Sequence, residues 1–353
     1  MTAGWFVAAL AALTIVAVWS AWHWFPDPRR QFIAAIPLRR LPDGSWEGLN
    51  LTWYGALSAT AYALALLVFL ILGAAAGASP VLCAAYMALM LAVCMPASRW
   101  VVRLIEGHAH GFSVGGAAFL VILLAPWLLA ALPRLPFWPV LAASAIAYAF
   151  GEGFGRLACV SFGCCYGRPV EQLSPRLRRW CMPVAARVAG GTRKAAYAGG
   201  LEGVPLAPVP GLTVAVHGLA GCLAAASLIA GLPRLAFLLA AGITLAWRVL
   251  SEFLRADFRG GRFPLPGSAY QWMAGVGLLY VLGLAALWPG ANAARLDMAA
   301  GLRAVWSPWV IVSLQGLWGF VFLYMGRSTV TGSRIGFHVR EVEAARTAGV
   351  VEA

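Results

Sequence analysis

The sequence has little charge and almost no lysine. Charged residues make up 11% of its 353 residues, whereas a soluble domain carries about 25%. Lys194 is the only lysine, so arginine carries nearly all of the positive charge behind the formal net charge of +13. Such a chain offers no soluble basic domain that could dock on nucleic acid, and we expect no nucleic acid among its partners. Guanidinium groups instead suit paired contacts with phosphate, which favours an anionic phospholipid.

Cysteine is scarce and follows neither a disulfide pattern nor a common metal motif. The seven cysteines are odd in number, and some lie inside apolar runs, which argues against a disulfide framework. Four in the middle of the chain could in principle bind zinc, namely Cys159, Cys164, Cys165 and Cys181. They contain no C-x-x-C pair and have no histidine at ligand spacing. We therefore expect no metal and no cofactor.

Long apolar runs fill most of the chain. Hydrophobic residues make up 61% of it, and a helix needs about 20 apolar residues to span a bilayer. The runs lie at approximately 4–24, 51–76, 80–98, 111–132, 136–155, 212–231, 233–254, 268–289 and 304–325. The first run lacks a basic n-region and an evident cleavage site, so we interpret it as a retained transmembrane helix. The sequence predicts an all-α fold, a polytopic helical membrane protein with about nine transmembrane helices.

The stretch GEGFGRLACVSFGCCYGRP, residues 151–169, combines glycine, cysteine and arginine at the end of the fifth run. Glycine lets backbones approach closely. Arg156 is costly at the end of an apolar helix unless it has a partner. A simpler interpretation is a helix end in which Arg156 reaches the headgroups and the cysteines only pack. The polar loop 163–211 that follows is too long for a simple turn, and such loops are usually functional or disordered.

If each run crosses the membrane once, the unusual polar residues of several helices fall on one membrane face. Tyr54 begins the second run, His110 precedes the fourth, and Arg156 ends the fifth. Arg248 and Glu252 lie near the end of the seventh run, which arrives at the same face. An aromatic belt is the ordinary alternative for Tyr54, and a solvated interfacial ring is the alternative for His110. Together these residues predict a site.

In the segment WRVLSEFLR, three charged residues share one helix face. Arg248 and Glu252 are four residues apart, and Glu252 and Arg255 are three apart. Arg248 is the deeper arginine and the better candidate for gripping a phosphate through paired hydrogen bonds. A surface salt-bridge ladder is the alternative. His217, inside another apolar run, we interpret as a packed, hydrogen-bonded histidine.

These pieces together resemble the prolipoprotein diacylglyceryl transferase family from about residue 51 to residue 287. The family's W-Y-G is matched by residues 53–55, and its H-G-G-x-x-G by HGFSVGG at 110–116. Its signature, G-R-x-G-N-F-I-N-G-E-x-x-G, aligns without gaps to residues 155–167 and keeps Arg156. Cys159 and Cys164 stand where the signature has asparagine and glutamate. The family's second essential arginine, followed by an acid four residues on, is matched by Arg248 and Glu252.

The resemblance implies a seven-helix catalytic core with an extra helix at each end. We expect an N-terminal transmembrane helix with its linker at 1–50, a core at 51–290 that includes the loop 163–211, and a C-terminal transmembrane helix with a tail at 291–353. The implied catalytic residues are His110, Arg156, Arg248 and Glu252. The implied substrate-binding residues are Tyr54, Gly155, Gly163, Gly167 and Arg255.

The implied reaction moves the diacylglyceryl group of phosphatidylglycerol to the lipobox cysteine thiol of a preprolipoprotein, with loss of glycerol phosphate. Arg156 and Arg248 would clamp the anionic leaving group, and Glu252 would hold Arg248 in position. His110 is the nearest candidate base for the thiol, and Tyr54 would orient the headgroup. Phosphatidylglycerol, preprolipoproteins and membrane lipid are therefore the expected partners.

Two other functions fit parts of the sequence. A non-catalytic lipid transporter or scramblase would tolerate the cysteine substitutions in the signature. A membrane thiol oxidoreductase would use Cys159, Cys164 and Cys165, although no C-x-x-C is present. The arginine-rich loops on the site's side point to the cytoplasm by the positive-inside rule. The resemblance implies the outer face of a bacterial inner membrane, because preprolipoproteins are exported first, and we follow it in expecting a multi-pass inner-membrane protein.

Overall fold

The structure is a computed structural model that describes residues 2–42, 46–107, 114–260, 265–290 and 295–328. Most of these residues are α-helical, and each predicted apolar run holds a helix. In chain order the helices are α1 (Thr2–His23), α2 (Trp53–Ala75), α3 (Pro80–Glu106), α4 (Val114–Ala130), α5 (Phe137–Phe162), α6 (Pro175–Cys181), α7 (Lys194–Tyr197), α8 (Val209–Ile229), α9 (Pro233–Phe237), α10 (Ile243–Glu252), α11 (Ala269–Leu287), α12 (Met298–Val305) and α13 (Pro308–Met325).

Within those ranges, seven helices are long and apolar enough to cross a membrane. They are α1, α2, α3, α8, α11, α13 and the continuous helix Pro233–Glu252, in which a π-helical turn at Leu238–Gly242 joins α9 to α10. These helices agree with the prediction of a polytopic helical membrane protein. The two remaining predicted runs hold α4, with 17 residues, and α5, with 26 residues and two charged side chains.

Helix α5 lies between α2 and α8, and most of its residues are buried. Its glycines allow these neighbours to come close. A Cβ added at Gly151 would lie 3.0 Å from the Cβ of Ala65 on α2, and one at Gly153 would lie 3.0 Å from the Cβ of His217 on α8. Membrane helices use small residues in this way because their backbones can then pack directly.

The end of α5 differs from the prediction. The apolar run stops near residue 155, yet the helix continues to Phe162. It can do so because Arg156 pairs with Glu152 one turn earlier on the same helix, so the charge does not have to leave the bundle. Gly163 then takes a left-handed φ of 70° and ends the helix, which is the usual role of glycine at a helix C-terminus.

Short strands depart from the all-α prediction. β1 (Phe32–Arg40) and β2 (Trp46–Thr52) form an antiparallel hairpin after α1. β3 (Ala186–Arg187) pairs with β4 (Pro205–Leu206), and β5 (Arg327–Ser328) adds to the edge of β2. β5 comes from the far end of the described chain. The linker was identified by its charge and prolines rather than by strand periodicity, and neither the local hairpin nor its distant partner β5 was predicted.

The arginine-rich loop 163–211 is folded and tied to the end of α1. Arg193 is 1% exposed, and its guanidinium donates to the backbone carbonyls of Phe25 at 3.1 Å, Pro26 at 2.8 Å and Asp27 at 2.6 Å. Burial lowers the pKa of Arg193 to about 10, so the group remains charged at neutral pH. Arg193 thus fixes the loop to the chain that leaves the first membrane helix, together with hydrogen bonds between Gln31 and Thr192.

Replacing Arg193 by methionine should loosen this connection. Three carbonyls would lose their donor, and leaving the buried one, that of Phe25, unsatisfied costs about 1–3 kcal/mol. We expect faster trypsin cleavage at Arg29 and Arg30 in the detergent-solubilised protein. Arg187→Met is the matched control, because Arg187 is exposed on the same loop and donates to one carbonyl, that of Gly203, at 3.1 Å. Equal cleavage of the two variants would contradict a role for Arg193 as the anchor.

The first and last membrane helices pack on the central helices rather than standing apart. Thr14 of α1 lies in the space that a side chain at Gly218 of α8 would need. The Trp318 indole of α13 donates to Thr60 of α2 at 3.1 Å. The predicted additions at the two chain ends therefore contact α8 and α2, the two helices that flank α5.

The contact between α2 and α13 depends on Gly55. A Cβ at Gly55 would overlap the backbone of Gly326, at the end of α13. Gly55→Val should therefore push α13 away and destabilise the protein by about 1–3 kcal/mol, as overpacking does. Gly316→Val on α13 is the matched control, because a Cβ there meets no atom within 4 Å. Thermal unfolding in detergent should separate the two, and equal midpoints would contradict the packing argument.

Candidate functional site

Two arginines from different helices share one carboxylate. Glu152 Oε1 accepts hydrogen bonds from Nη2 of Arg156, one turn later on α5, and from Nη1 of Arg248 on α10 at 2.9 Å. The Glu152 side chain is 4% exposed, and the arginine side chains are 11% and 13% exposed. This carboxylate therefore holds both guanidinium groups at the same depth in the bundle. Glu152 received no role from the sequence, although its i, i+4 spacing to Arg156 in an apolar helix was the signal that could have found it.

The prediction that Glu252 holds Arg248 is wrong. Glu252 does not hold Arg248; it accepts from Arg259 Nη2 at 2.6 Å and from the Ser268 hydroxyl at 3.1 Å. The i, i+4 spacing of Arg248 and Glu252 on one helix face predicted an ion pair between them. Tertiary structure instead brings Glu152 to Arg248 from α5 and Arg259 to Glu252 from the chain after α10.

Arg255 also has its own acid. It is 8% exposed and makes a bidentate contact with Asp257, with Nε to Oδ1 at 2.8 Å and Nη2 to Oδ2 at 2.7 Å. Its backbone pairs with that of Gly167 in an antiparallel bridge. Arg255 is therefore held by the loop after α5 as well as by its own segment.

These groups line one polar pocket among α5, α8 and α10. Its lining comprises Glu152, Arg156, Thr213, His217, Trp247, Arg248, Ser251, Glu252 and Arg255. Glu252 and Arg255 are each neutralised by one partner of opposite charge. Two arginines against the single carboxylate of Glu152 leave one positive charge without a described counter-ion. A buried charge of this kind is costly unless an anion or water compensates it.

The start of α4 lies against the same arginine. A Cβ at Gly115 would overlap the guanidinium of Arg248 and would lie 3.5 Å from the ring of Tyr270. Gly115 matches the last glycine of the H-G-G-x-x-G motif. Part of this motif therefore lies at the site. His110 lies outside the described residues, and its role as base stays a prediction.

His217 was predicted to be a packed histidine without a role in the site, yet it lines the pocket. It is completely buried, and neither ring nitrogen makes a hydrogen bond within the described part of the chain. Its burial agrees with the interpretation as a packed residue, and its place in the pocket lining adds a role that the sequence did not indicate. An imidazole in this position can accept a proton or donate to an anion. The only sequence signal was a polar ring inside an apolar run.

Tyr54 and the predicted glycines lie around the pocket but do not line it. The Tyr54 ring meets the Phe162 ring edge to face, with centroids 5.6 Å apart. Gly155 faces α2, where its added Cβ would lie 3.8 Å from that of Ala61. Gly163 reverses the chain, and a side chain at Gly167 would overlap the backbone at residue 207. In this structure the three glycines shape the backbone that positions the arginines.

Three cysteines gather beside Arg156. The sulfur atoms of Cys159, Cys164 and Cys165 all lie within 4.8 Å of one another. Arg156 Nη1 lies 3.2 Å from the sulfur of Cys165, so the same guanidinium contacts both the cysteines and Glu152. Cys181, the fourth cysteine considered from the sequence, is not in this group. Sequence spacing alone did not reveal the cluster.

No family model matches this sequence, and no curated protein matches it.

The arrangement can bind an anion. Within the described chain, Nε and Nη2 of Arg248 and Nε of Arg156 donate to no protein acceptor, which leaves donors beyond those that Glu152 uses. Guanidinium forks match the oxygens of phosphate, and their hydrogen bonds to it are charge-assisted. Donors fixed before the ligand arrives also stabilise charge that develops during a reaction.

Proposed function

We propose that the protein binds the phosphate of an anionic phospholipid between Arg156 and Arg248 and transfers its diacylglyceryl group to a cysteine thiol of a preprolipoprotein. One observation carries the proposal. Two guanidinium groups share the single carboxylate of Glu152 in a buried pocket, so a negatively charged ligand would balance the site. The resemblance in the sequence supplies the reaction, and the geometry supports the headgroup site on which that reaction depends.

The proposed substrate is phosphatidylglycerol. The thiolate of the lipobox cysteine attacks the diacylglyceryl carbon that bears the phosphate oxygen, a carbon–sulfur bond forms and the carbon–oxygen bond breaks. The electron pair leaves with glycerol phosphate, and the thiol proton passes to a base. Arg156 and Arg248 stabilise the phosphate as charge develops on it.

Two histidines are candidates for the proton step. His110 is the base that the resemblance implies. His217 is the imidazole that lines the pocket with both arginines, and its nitrogens are not engaged by the described residues. Glu252 has a positioning role. Its carboxylate accepts hydrogen bonds from Arg259 and from Ser268, the residue at the start of α11.

The proposed membrane arrangement has nine spans. The seven helices identified by length and composition are joined by α4, which is shorter, and by α5, which carries two charged residues. With one crossing per span, the pocket lies near one face, at the depth of lipid headgroups. We propose the outer face of a bacterial inner membrane, where both the phospholipid and the exported preprolipoprotein are available.

The direct test uses the full-length protein in phosphatidylglycerol nanodiscs with a synthetic lipobox peptide. We expect a diacylglyceryl thioether peptide by mass spectrometry and an equal amount of released glycerol phosphate. A peptide with serine in place of cysteine is the control for the nucleophile, and phosphatidylcholine discs are the control for the headgroup. Absence of the thioether product, with a folded protein and intact substrates, would reject the transferase. Phospholipid movement without peptide would favour a transporter.

A further inference from the structure

The strongest site outside the arginine pocket is the group of three cysteines at the end of α5. Cys159 lies in the last turns of the helix, and Cys164 and Cys165 follow the helix end. The sulfur atoms of Cys159 and Cys165 are 3.7 Å apart, and all three sulfurs lie within 4.8 Å of one another. Two thiolates bound tetrahedrally to one zinc ion at about 2.3 Å are about 3.8 Å apart. The observed spacing therefore matches that of sulfur ligands around one metal ion.

The backbone brings these sulfurs together by an unusual route. Gly163 takes a φ of 70°, which turns the chain back over the last turn of the helix. Cys165 has a φ of 56° and is the only non-glycine residue with positive φ in the described chain. Side-chain-bearing residues seldom adopt this conformation. The double reversal explains how a C-x4-C-C sequence, which lacks standard ligand spacing, forms a compact group of thiols.

A guanidinium group beside two of the sulfurs favours their thiolate form. Arg156 Nη1 lies 3.2 Å from the sulfur of Cys165 and 3.9 Å from that of Cys159. The thiolate is the form that binds metals.

We propose that Cys159, Cys164 and Cys165 bind one zinc ion through three thiolates. Zinc is the ion of choice because it is bound by thiolates at these distances without redox chemistry. No other histidine, cysteine or carboxylate of the described chain joins the group, so the fourth coordination position is open to water or an external ligand. Three protein ligands with an open position are the pattern of catalytic rather than structural zinc.

The open position has a consequence that rests on the proposed function. A thiol that coordinates zinc is deprotonated outright, so a lipobox cysteine bound there would be a thiolate at neutral pH. Arg156 contacts both the cysteine group and Glu152, which places the thiol site beside the headgroup site. Zinc binding itself does not depend on this consequence and can be measured without either substrate.

The test uses the full-length protein, purified in detergent, reduced with a phosphine and stripped with a chelator. Zinc is added in competition with a chromogenic zinc indicator. We expect about one tightly bound zinc ion per chain and weaker binding at lower pH, because protons compete for the thiolates. Each of the variants Cys159→Ser, Cys164→Ser and Cys165→Ser should bind zinc more weakly, by more than the roughly 10–100-fold that loss of an outer-shell partner causes. Cys94→Ser on α3 is the matched control and should bind as the unaltered protein does.

A second measurement uses the unaltered protein, so its result does not depend on whether the serine variants fold. Zinc should protect Cys159, Cys164 and Cys165 from alkylation, as mapped by peptide mass spectrometry, while Cys94 reacts at the same rate with and without zinc. Cobalt(II) in place of zinc should show thiolate-to-cobalt charge-transfer absorption. No zinc binding by the reduced protein, or no protection of these three cysteines, would overturn the proposal. Reversible loss of two thiols in a protein that binds no zinc would identify a redox pair instead.

Discussion

Replacing Arg248 by alanine should lower the rate of diacylglyceryl transfer by about 100- to 1000-fold, the usual cost of removing a donor that stabilises developing charge. Glu152 would still pair with Arg156, so the pocket would lose its excess positive charge without gaining an unpaired one. We therefore expect little change in the unfolding midpoint. Product formation in phosphatidylglycerol nanodiscs and thermal unfolding in detergent measure the two effects separately.

Two further variants sharpen the test on Arg248. Arg248→Lys keeps the charge but loses the planar fork, so its rate should lie between those of the alanine variant and the unaltered protein. Arg303→Ala is the control, because Arg303 is exposed and its nearest acid is 4.0 Å away. A rate for Arg248→Ala equal to that of the control would refute the phosphate clamp, whatever the family resemblance implies.

Replacing Glu152 by glutamine should have the largest effect on stability. The substitution keeps the shape of the side chain but leaves Arg156 and Arg248 close together without their shared carboxylate. Removing one partner of a buried ion pair costs about 3–5 kcal/mol, because an uncompensated charge remains inside. Denaturant unfolding in mixed micelles, followed by tryptophan fluorescence, would measure the loss. Glu171→Gln, on an exposed loop position, is the control and should change stability little.

A double variant distinguishes charge balance from simple packing. If charge explains the loss, changing Arg248 to methionine together with Glu152→Gln should be less destabilising than the sum of the two single changes, because one unpaired arginine is removed as well. Additive losses would contradict the shared-carboxylate explanation. The contrast between Arg248→Ala, expected to lose activity, and Glu152→Gln, expected to lose stability, follows from one geometry.

The helices were largely predictable because their signal is local. Each apolar run holds a helix, since a segment in lipid must satisfy its own backbone hydrogen bonds. The errors occur where backbone pairing or an ion pair, rather than apolar content, stabilises the segment. The strands β1 and β2 were assigned to a linker, and α5 was ended near residue 155, because neither the pairing with β5 nor the pairing of Arg156 with Glu152 enters an apolar count.

The site divides in the same way. Arg156, Arg248, Glu252 and Arg255 were selected from the sequence because charge is rare and costly in apolar helices, and all four line the pocket. Their partners were not selected correctly. Glu152 replaces Glu252 beside Arg248, and His217 enters the lining, because side chains from α5, α8 and α10 meet only after the helices pack.

The sequence by itself determined a lipid-solvated helical chain. It also identified the few ionic residues, which are costly to bury in such a chain and therefore indicate a function. Tertiary structure alone decided which of those residues touch. One carboxylate between two arginines leaves a positive charge inside the bundle, and two left-handed backbone positions bring together three cysteines that no common motif would have grouped. Both results depend on distances between segments, and electrostatic and coordination energies act through distance in space rather than along the chain.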